Sequence, residues 1–251
     1  MIVKTEAIVL STMKYGETSK IARLYTREFG KISVLAKGAR APSSKFRGAL
    51  EPARHVLAVL YKKEHRELHL LSQCDLLDAF RRIPESMERM RAAWSAIELV
   101  NLVTHGEERN EELFDLLLKV LQVINAATKP PWAALYYFEL RLAGLLGFQP
   151  ELDVCSRCAK PIPEAGLGVR YGFGPNGILC ENCAVGASVV LSSAAISALR
   201  ALRRFSSPEG SANIRLTQQT QQEISRVLRT HFQAHIEGFR ELKSDRVFAE
   251  L

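Results

Sequence analysis

The period of the apolar positions changes once along the chain. Over residues 1–80, apolar and β-branched residues recur in short blocks at Ile2–Leu10, Lys20–Thr26, Lys31–Lys37, His55–Tyr61 and Glu67–Cys74. Turn residues break them at Tyr15-Gly16-Glu17 and Glu28-Phe29-Gly30. Blocks of this length between turn signals predict strands, and five of them predict a small barrel. The second and third are close enough to form a hairpin, whereas Gly38 to Arg54 separate the third from the fourth.

From about Ser86 the spacing becomes helical. Met90, Trp94, Ile97 and Val100 share one face, and Asn110-Glu111-Glu112 has the form of a helix cap with acids in the first turn. Leu113, Leu116, Leu117, Val120, Leu121 and Ile124 form the cleanest amphipathic stripe in the chain. Pro130-Pro131 ends that helix and starts the next, which carries Leu135, Phe138, Leu142, Leu145 and Leu146 and stops at Gly147. Ser193 precedes a further helix with Ile196, Leu199 and Leu202, and Thr217 one with Ile224, Val227, Leu228 and Phe232. These stripes are most simply core. The expected class is α+β, with a barrel over 1–80 and a helical domain over 81–251.

Charge separates the same two regions. Residues 1–80 hold 14 Lys and Arg against 8 Asp and Glu, whereas residues 81–251 hold 20 against 19. Within the first third, residues 31–54 hold six basic side chains, Lys31, Lys37, Arg40, Lys45, Arg47 and Arg54, and one acid, Glu51. A local excess of this kind attracts polyanions, although a solvated basic loop has the same composition. In a five-stranded OB-fold barrel the long connections and one open face form the oligonucleotide site, and the basic block falls in the long connection. The expected phosphate contacts are Lys37, Arg40, Lys45 and Arg47, followed by Lys20 and Arg23 on the preceding strand. Phe46 between Lys45 and Arg47 has two readings, a base-stacking ring or a packing anchor for the loop.

Four of the 5 cysteines form two pairs, Cys155-Ser-Arg-Cys158 and Cys180-Glu-Asn-Cys183, with 21 residues between them. Two CxxC knuckles supply the four thiolates of a closed tetrahedral site, so a structural Zn2+ ion, one per chain, is expected; such a shell leaves no position for substrate water. Disulfides and thioredoxin-like redox chemistry are the alternatives. The first needs an oxidising compartment, and the start Met-Ile-Val-Lys-Thr-Glu has no apolar leader. The second needs a βαβ pattern that is not seen. The surrounding segment, about 150–185, is rich in Pro and Gly (Pro161, Pro163, Gly166, Gly168, Gly172, Gly174, Pro175, Gly177), so the metal is expected to supply much of its folding free energy. Cys74 lies in a strand and reads as a small buried hydrophobe.

Catalytic motifs are missing. Phe29-Gly-Lys-Ile-Ser33 has the wrong order for a phosphate loop, and neither HExxH nor GxSxG occurs. His105-Gly-Glu107 followed by CxxC echoes the zinc nucleobase deaminases, but Val154 and Leu179 stand where that signature has proline, and four cysteines already saturate one ion. His105 reads as a surface residue in a loop. His55, His65, His69, His231 and His235 read as strand or helix surface residues; His231 and His235, four apart, form at most a two-ligand set. No enzyme activity is expected. No run approaches a membrane span, and a cytoplasmic location is the default expectation.

One family resemblance runs through the whole chain in order. Ser33-Val-Leu-Ala-Lys-Gly-Ala-Arg-Ala-Pro-Ser-Ser-Lys-Phe-Arg-Gly-Ala-Leu-Glu-Pro52 resembles the hallmark of the RecO family of bacterial recombination mediators. So do Glu6–Leu10, Tyr15–Ser19, Leu24–Lys31 and Phe173–Cys183. The resemblance implies an N-terminal OB-fold, a helical region and a four-cysteine zinc module. It further implies binding of single- and double-stranded DNA, annealing of complementary strands, and cooperation with RecR to help RecA displace single-stranded DNA-binding protein at the bacterial nucleoid. Some members hold the acidic tail of that protein through the helical domain. Ala41 and Ser43-Ser44 stand where relatives often carry further basic residues, so weaker binding through this loop is expected. Two other classes remain: a protein adaptor whose DNA contact is incidental, and a zinc hydrolase, which would need an open metal position.

Overall fold

The computed structural model describes residues 1–63, 66–163, 169–172, 177–184, 188–239 and 241–244. His65, Gly166, Gly168 and Phe173 to Asn176 lie outside the described residues. The chain divides into two compact units: Met1–Ala126 joined by Lys243 and Ser244, and Ala127–Leu242. The division falls after the second long helix, inside the segment expected as one helical domain.

In the first unit five strands, β1 (Ile2–Tyr15), β2 (Ser19–Thr26), β3 (Gly30–Ala36), β4 (His55–Tyr61) and β5 (Leu68–Asp78), close in the order β1-β2-β3-β5-β4. Alternation sets the inside. Ala22 and Leu24, Ile32, Val34 and Ala36, and Val56, Ala58 and Leu60 point into one core with Leu71 and Cys74. The strand β1 is longer than its apolar block because it serves two partners: residues 2–8 pair with β4, and residues 7–15 pair with β2 through a bulge at Val9/Ser11. Such a bulge bends the strand enough for one chain segment to line both sides of a barrel. Closure rests on a short parallel seam, Ser33–Leu35 beside Leu68–Leu70.

The 37–54 connection is a plug. Phe46, Ala49 and Leu50 are 2–3 % exposed and belong to the barrel core. The connection ends at the β1 bulge, where the Ala53 amide donates to the Val9 carbonyl (2.9 Å) and the Val9 amide to that of Arg54 (3.0 Å). Of the two readings for Phe46, packing is the one realised.

Two helices, α1 (Met87–Val103) and α2 (Glu111–Ala126), cover one outer side of the barrel. The Asn110 side chain accepts from the Leu113 amide (2.9 Å) and caps α2. Phe114 stacks on the buried Tyr25, and Arg27 lies 4.5 Å over the Phe114 ring while bonding Asp115 (2.7 Å) and Glu6 (3.4 Å). Gly30 has φ +64°, and a Cβ there would lie 2.1 Å from the Glu108 carbonyl oxygen, so the β2–β3 turn accepts only glycine against this loop.

The second unit contains α3 (Trp132–Leu145), α4 (Ser193–Arg204), α5 (Gln218–His235) and a three-stranded sheet β7-β6-β8, built from β6 (Val169–Gly172), β7 (Gly177–Leu179) and β8 (Ser188–Leu191). The helix α4 starts one residue earlier than expected, with Ser192 as the cap accepting from the Ala195 amide (3.2 Å). Thr217 caps α5 as expected (3.2 Å). The sheet is a departure from the sequence reading: Tyr171, Ile178, Leu179 and Leu191 are buried, so the cysteine segment has an apolar core of its own. Strands of three and four residues are too short for their alternation to register in sequence.

Candidate nucleic-acid face and metal centre

Plugging the loop into the core decides where its cations go. Lys37, Arg40, Lys45 and Arg47 are all exposed, interleaved with the buried residues that hold the loop down. The Arg40 amide donates to the Thr18 carbonyl (2.7 Å) and its guanidinium to that of Gly16 (3.3 Å), which clamps the start of the loop onto the β1–β2 turn. Lys45 lies 5.3 Å over the Phe46 ring. Lys20 differs from the rest, since it is half-buried and its ammonium bonds Glu51 at 2.9 Å. Arg23 is exposed on the outer side of β2, opposite Ser11 on β1 and Ser33 on β3. Burial, and after it the neighbouring Arg23 charge, pull the Lys31 ammonium down.

Next to Arg23 the outward residues are apolar. Registry places Met13, Ile21, Leu35, Leu70, Tyr61 and Ile2 side by side across all five strands. Met13, Tyr61 and Ile2 are 60 %, 43 % and 62 % exposed, as is Tyr15 at 52 %. The only signal for this row in the sequence is an apolar residue at one outward position per strand, which becomes a row once the register is known.

In the second unit the Sγ atoms of Cys155, Cys158, Cys180 and Cys183 all lie within 4.8 Å of one another. Cys158 and Cys180 are 3.7 Å apart, matching the edge of about 3.8 Å that four ligands at about 2.3 Å make in a tetrahedron, and far from a disulfide bond. Each pair sits in a tight knuckle: the Ala159 amide returns to the Cys155 carbonyl (2.8 Å) with Ala159 at φ +58°, and the Cys183 amide returns to that of Cys180 (3.0 Å). Burial pushes the Cys155 thiol up, but backbone amides of Cys180, Arg157 and Cys158 outweigh it and pull the group down to about 6. This arrangement can hold a metal ion.

The centre is tied to the helices by two buried side chains that the sequence reading passed over. Arg200 on α4, 4 % exposed, donates to the carbonyls of Leu152 (2.7 Å) and Ile162 (3.0 Å) on either side of the first knuckle. His231 on α5 is 1 % exposed rather than on the surface. Its Nε2 faces the Phe148 carbonyl (2.6 Å), so that nitrogen carries the proton and Nδ1 accepts from the Tyr171 hydroxyl (2.7 Å). Both nitrogens are used, and the His231 and His235 pair is not a ligand set. His69 is likewise buried, 2.7 Å from Glu107, whereas His105 is exposed as expected.

Comparison with known proteins agrees with this layout. The family model for the recombination protein O N terminus matches residues 1–80, and that for its C terminus matches residues 84–246. DNA repair protein RecO of Chloroherpeton thalassium is 38 % identical over 167 residues, covering 66 % of this chain and 64 % of its own length. That of Anaeromyxobacter dehalogenans is 36 % identical over 184 residues, covering 73 % and 71 %, and that of Symbiobacterium thermophilum 35 % over 178 residues, covering 71 % and 70 %. The chain thus spans just under two thirds of the first of these relatives. With both family models matched in order over a barrel, a helical region and a four-cysteine centre, the chain belongs to the RecO family.

Proposed function

We propose that this chain is a non-enzymatic mediator of DNA repair and recombination. Its residues 1–80 act as the DNA-binding module, and 81–251 as a helical domain carrying a zinc module at about 150–185. The observation that carries this reading is the loop from Lys37 to Arg47, whose four exposed cations are held in place by Phe46, Ala49 and Leu50 beneath them. An ordered cationic arm loses less conformational entropy on meeting a phosphate backbone than a free one does. It binds single and double strands by neutralising phosphates. Held on such a surface, two complementary strands repel each other less and anneal without nucleotide hydrolysis. Lys20, already paired with Glu51, contributes less than Arg23.

The ion in the cysteine centre is zinc in a structural role, since four thiolates close its shell and supply no step of chemistry. The protein works with RecR to help RecA onto DNA coated by single-stranded DNA-binding protein, in the bacterial cytoplasm at the nucleoid. Among the described residues no helix is long and apolar enough to cross a membrane. A cleft of about 150 Å³ lined by Lys129, Pro130, Trp132, Ile214, Arg215 and Leu216 supports the partner assignment. Two cations beside apolar side chains suit an acidic peptide tail.

The test is a strand-annealing assay without ATP, with binding titrated against salt. Four to six phosphate contacts give a slope of log affinity against log salt of roughly −3 to −5. Lys45→Ala with Arg47→Ala should weaken binding to every sequence alike and flatten that slope. Wild-type affinity and slope in this double variant would move the site elsewhere.

A further inference from the structure

The four clustered cysteines differ in what can reach them. Cys155 is 1 % exposed, Cys180 and Cys183 are half-buried, and Cys158 is exposed. Coordination keeps a thiol deprotonated, and the thiolate is the form that reacts with oxidants. A small two-electron oxidant such as hydrogen peroxide therefore meets Cys158 first. Cys74 is the contrast within the chain, because it lies in the barrel core and burial holds it as the neutral thiol.

A second sulfur stands ready on the other knuckle. Cys180 Sγ lies 3.7 Å from Cys158 Sγ, so a movement of about 1.7 Å brings the two to the length of a disulfide bond. The protein holds the knuckles together with hydrogen bonds of its own. The Ser156 amide donates to the Ile178 carbonyl (2.9 Å), the Ile178 amide to the Glu151 carbonyl (3.0 Å), and the Arg157 guanidinium to the Cys183 carbonyl (3.3 Å). The first two join the Cys155–Cys158 knuckle to β7, the strand that runs directly into Cys180. These bonds keep Cys158 beside Cys180 at the moment the first ligand is oxidised. Cys155 is instead fixed within its knuckle, its amide donating to the Lys160 carbonyl (2.8 Å) and its carbonyl accepting from the Ala159 amide (2.8 Å).

We propose that Cys158 is a site of reversible oxidation, and that Cys180 resolves its oxidised sulfur into a disulfide joining the two knuckles. This rests on the zinc reading of the cysteine centre. The Cys158 thiolate attacks one peroxide oxygen, the O–O bond breaks and hydroxide leaves, so that the sulfur becomes a sulfenic acid. The Cys180 thiolate then attacks that sulfur, the S–O bond breaks and a second hydroxide leaves. Two electrons pass from two sulfurs to one peroxide. Cys155 and Cys183 remain as the thiolates of the centre, half the set that closes a zinc shell, and a competing chelator takes the ion. A dithiol reductant restores all four ligands.

The experiment analyses the reduced full chain for metal and then adds a small excess of hydrogen peroxide. A chromophoric chelator follows zinc release, and mass spectrometry of peptides alkylated after denaturation maps the disulfide. Release should keep step with the loss of two thiols, the linked peptide should join Cys158 to Cys180, and Cys74 should stay reduced. Dithiothreitol with added zinc should reverse all three signals. Cys158→His keeps a zinc ligand without the reactive sulfur and should slow release about tenfold or more. Cys183→His leaves both reacting sulfurs and should release at the parent rate. The peptide map of the parent decides even where a variant does not fold. A disulfide within one knuckle, or zinc retained with all four thiols intact, overturns the proposal while leaving the zinc centre standing. A reduced chain that neither carries nor takes up zinc overturns both.

Discussion

Single residues show where sequence chemistry reads well and where it does not. Cys74 was legible as a small hydrophobe, and burial pushes its thiol up to about 12. The tightly spaced cysteines were legible too, because a CxxC knuckle is a local object. His231 was not, since its partners Tyr171 and Phe148 are 60 and 83 residues away. Burial lowers His231 to about 4, below the ordinary value of about 6.5. A base depressed in this way favours folding fully above pH 6.5, and the benefit is lost as pH falls through 6.5 toward 4. The full effect is about 3 kcal/mol. In nitrogen-detected NMR the ring should remain neutral in its Nε2–H form at pH 5.5; a midpoint between 6 and 7 would contradict the assignment. Phe46 makes the complementary case: flanked by cations it invites a nucleic-acid reading, yet Phe46→Ala should cost about 3–5 kcal/mol in chemical denaturation because it empties the barrel core.

At the scale of elements, long periodic segments were readable and short ones were not. The stripe from Leu113 to Ile124 appears as α2 with its Asn110 cap, and the five strand blocks appear as the five barrel strands. The sheet β6 to β8 escaped because each strand is only three or four residues long, too short for alternation to register. That sheet, the Arg200 clamp and the knuckles form one cooperative piece. If the four cysteines hold a metal as proposed, its chelation, or Cys155→Ser, should therefore remove hydrogen-exchange protection from Val169–Gly172 and Ser188–Leu191 while leaving β1 to β5 protected. Equal loss in the barrel would show that the two are not separable. Metal analysis should find one zinc per chain in the parent and less in the variant.

The molecule as a whole divides by charge in a way composition already announced, with the excess in the barrel region and near balance beyond it. Composition did not reveal that α1 and α2 belong with the barrel in one compact unit, because helix amphipathicity says which face is buried and not against what. The parallel seam between β3 and β5 has a further consequence. Among the described residues it is the only place where the cylinder closes without a hairpin or a long ladder, and three residue pairs form it. Transient opening of the barrel should begin there, making the amides of residues 33–35 and 68–70 the first in the barrel to exchange with solvent.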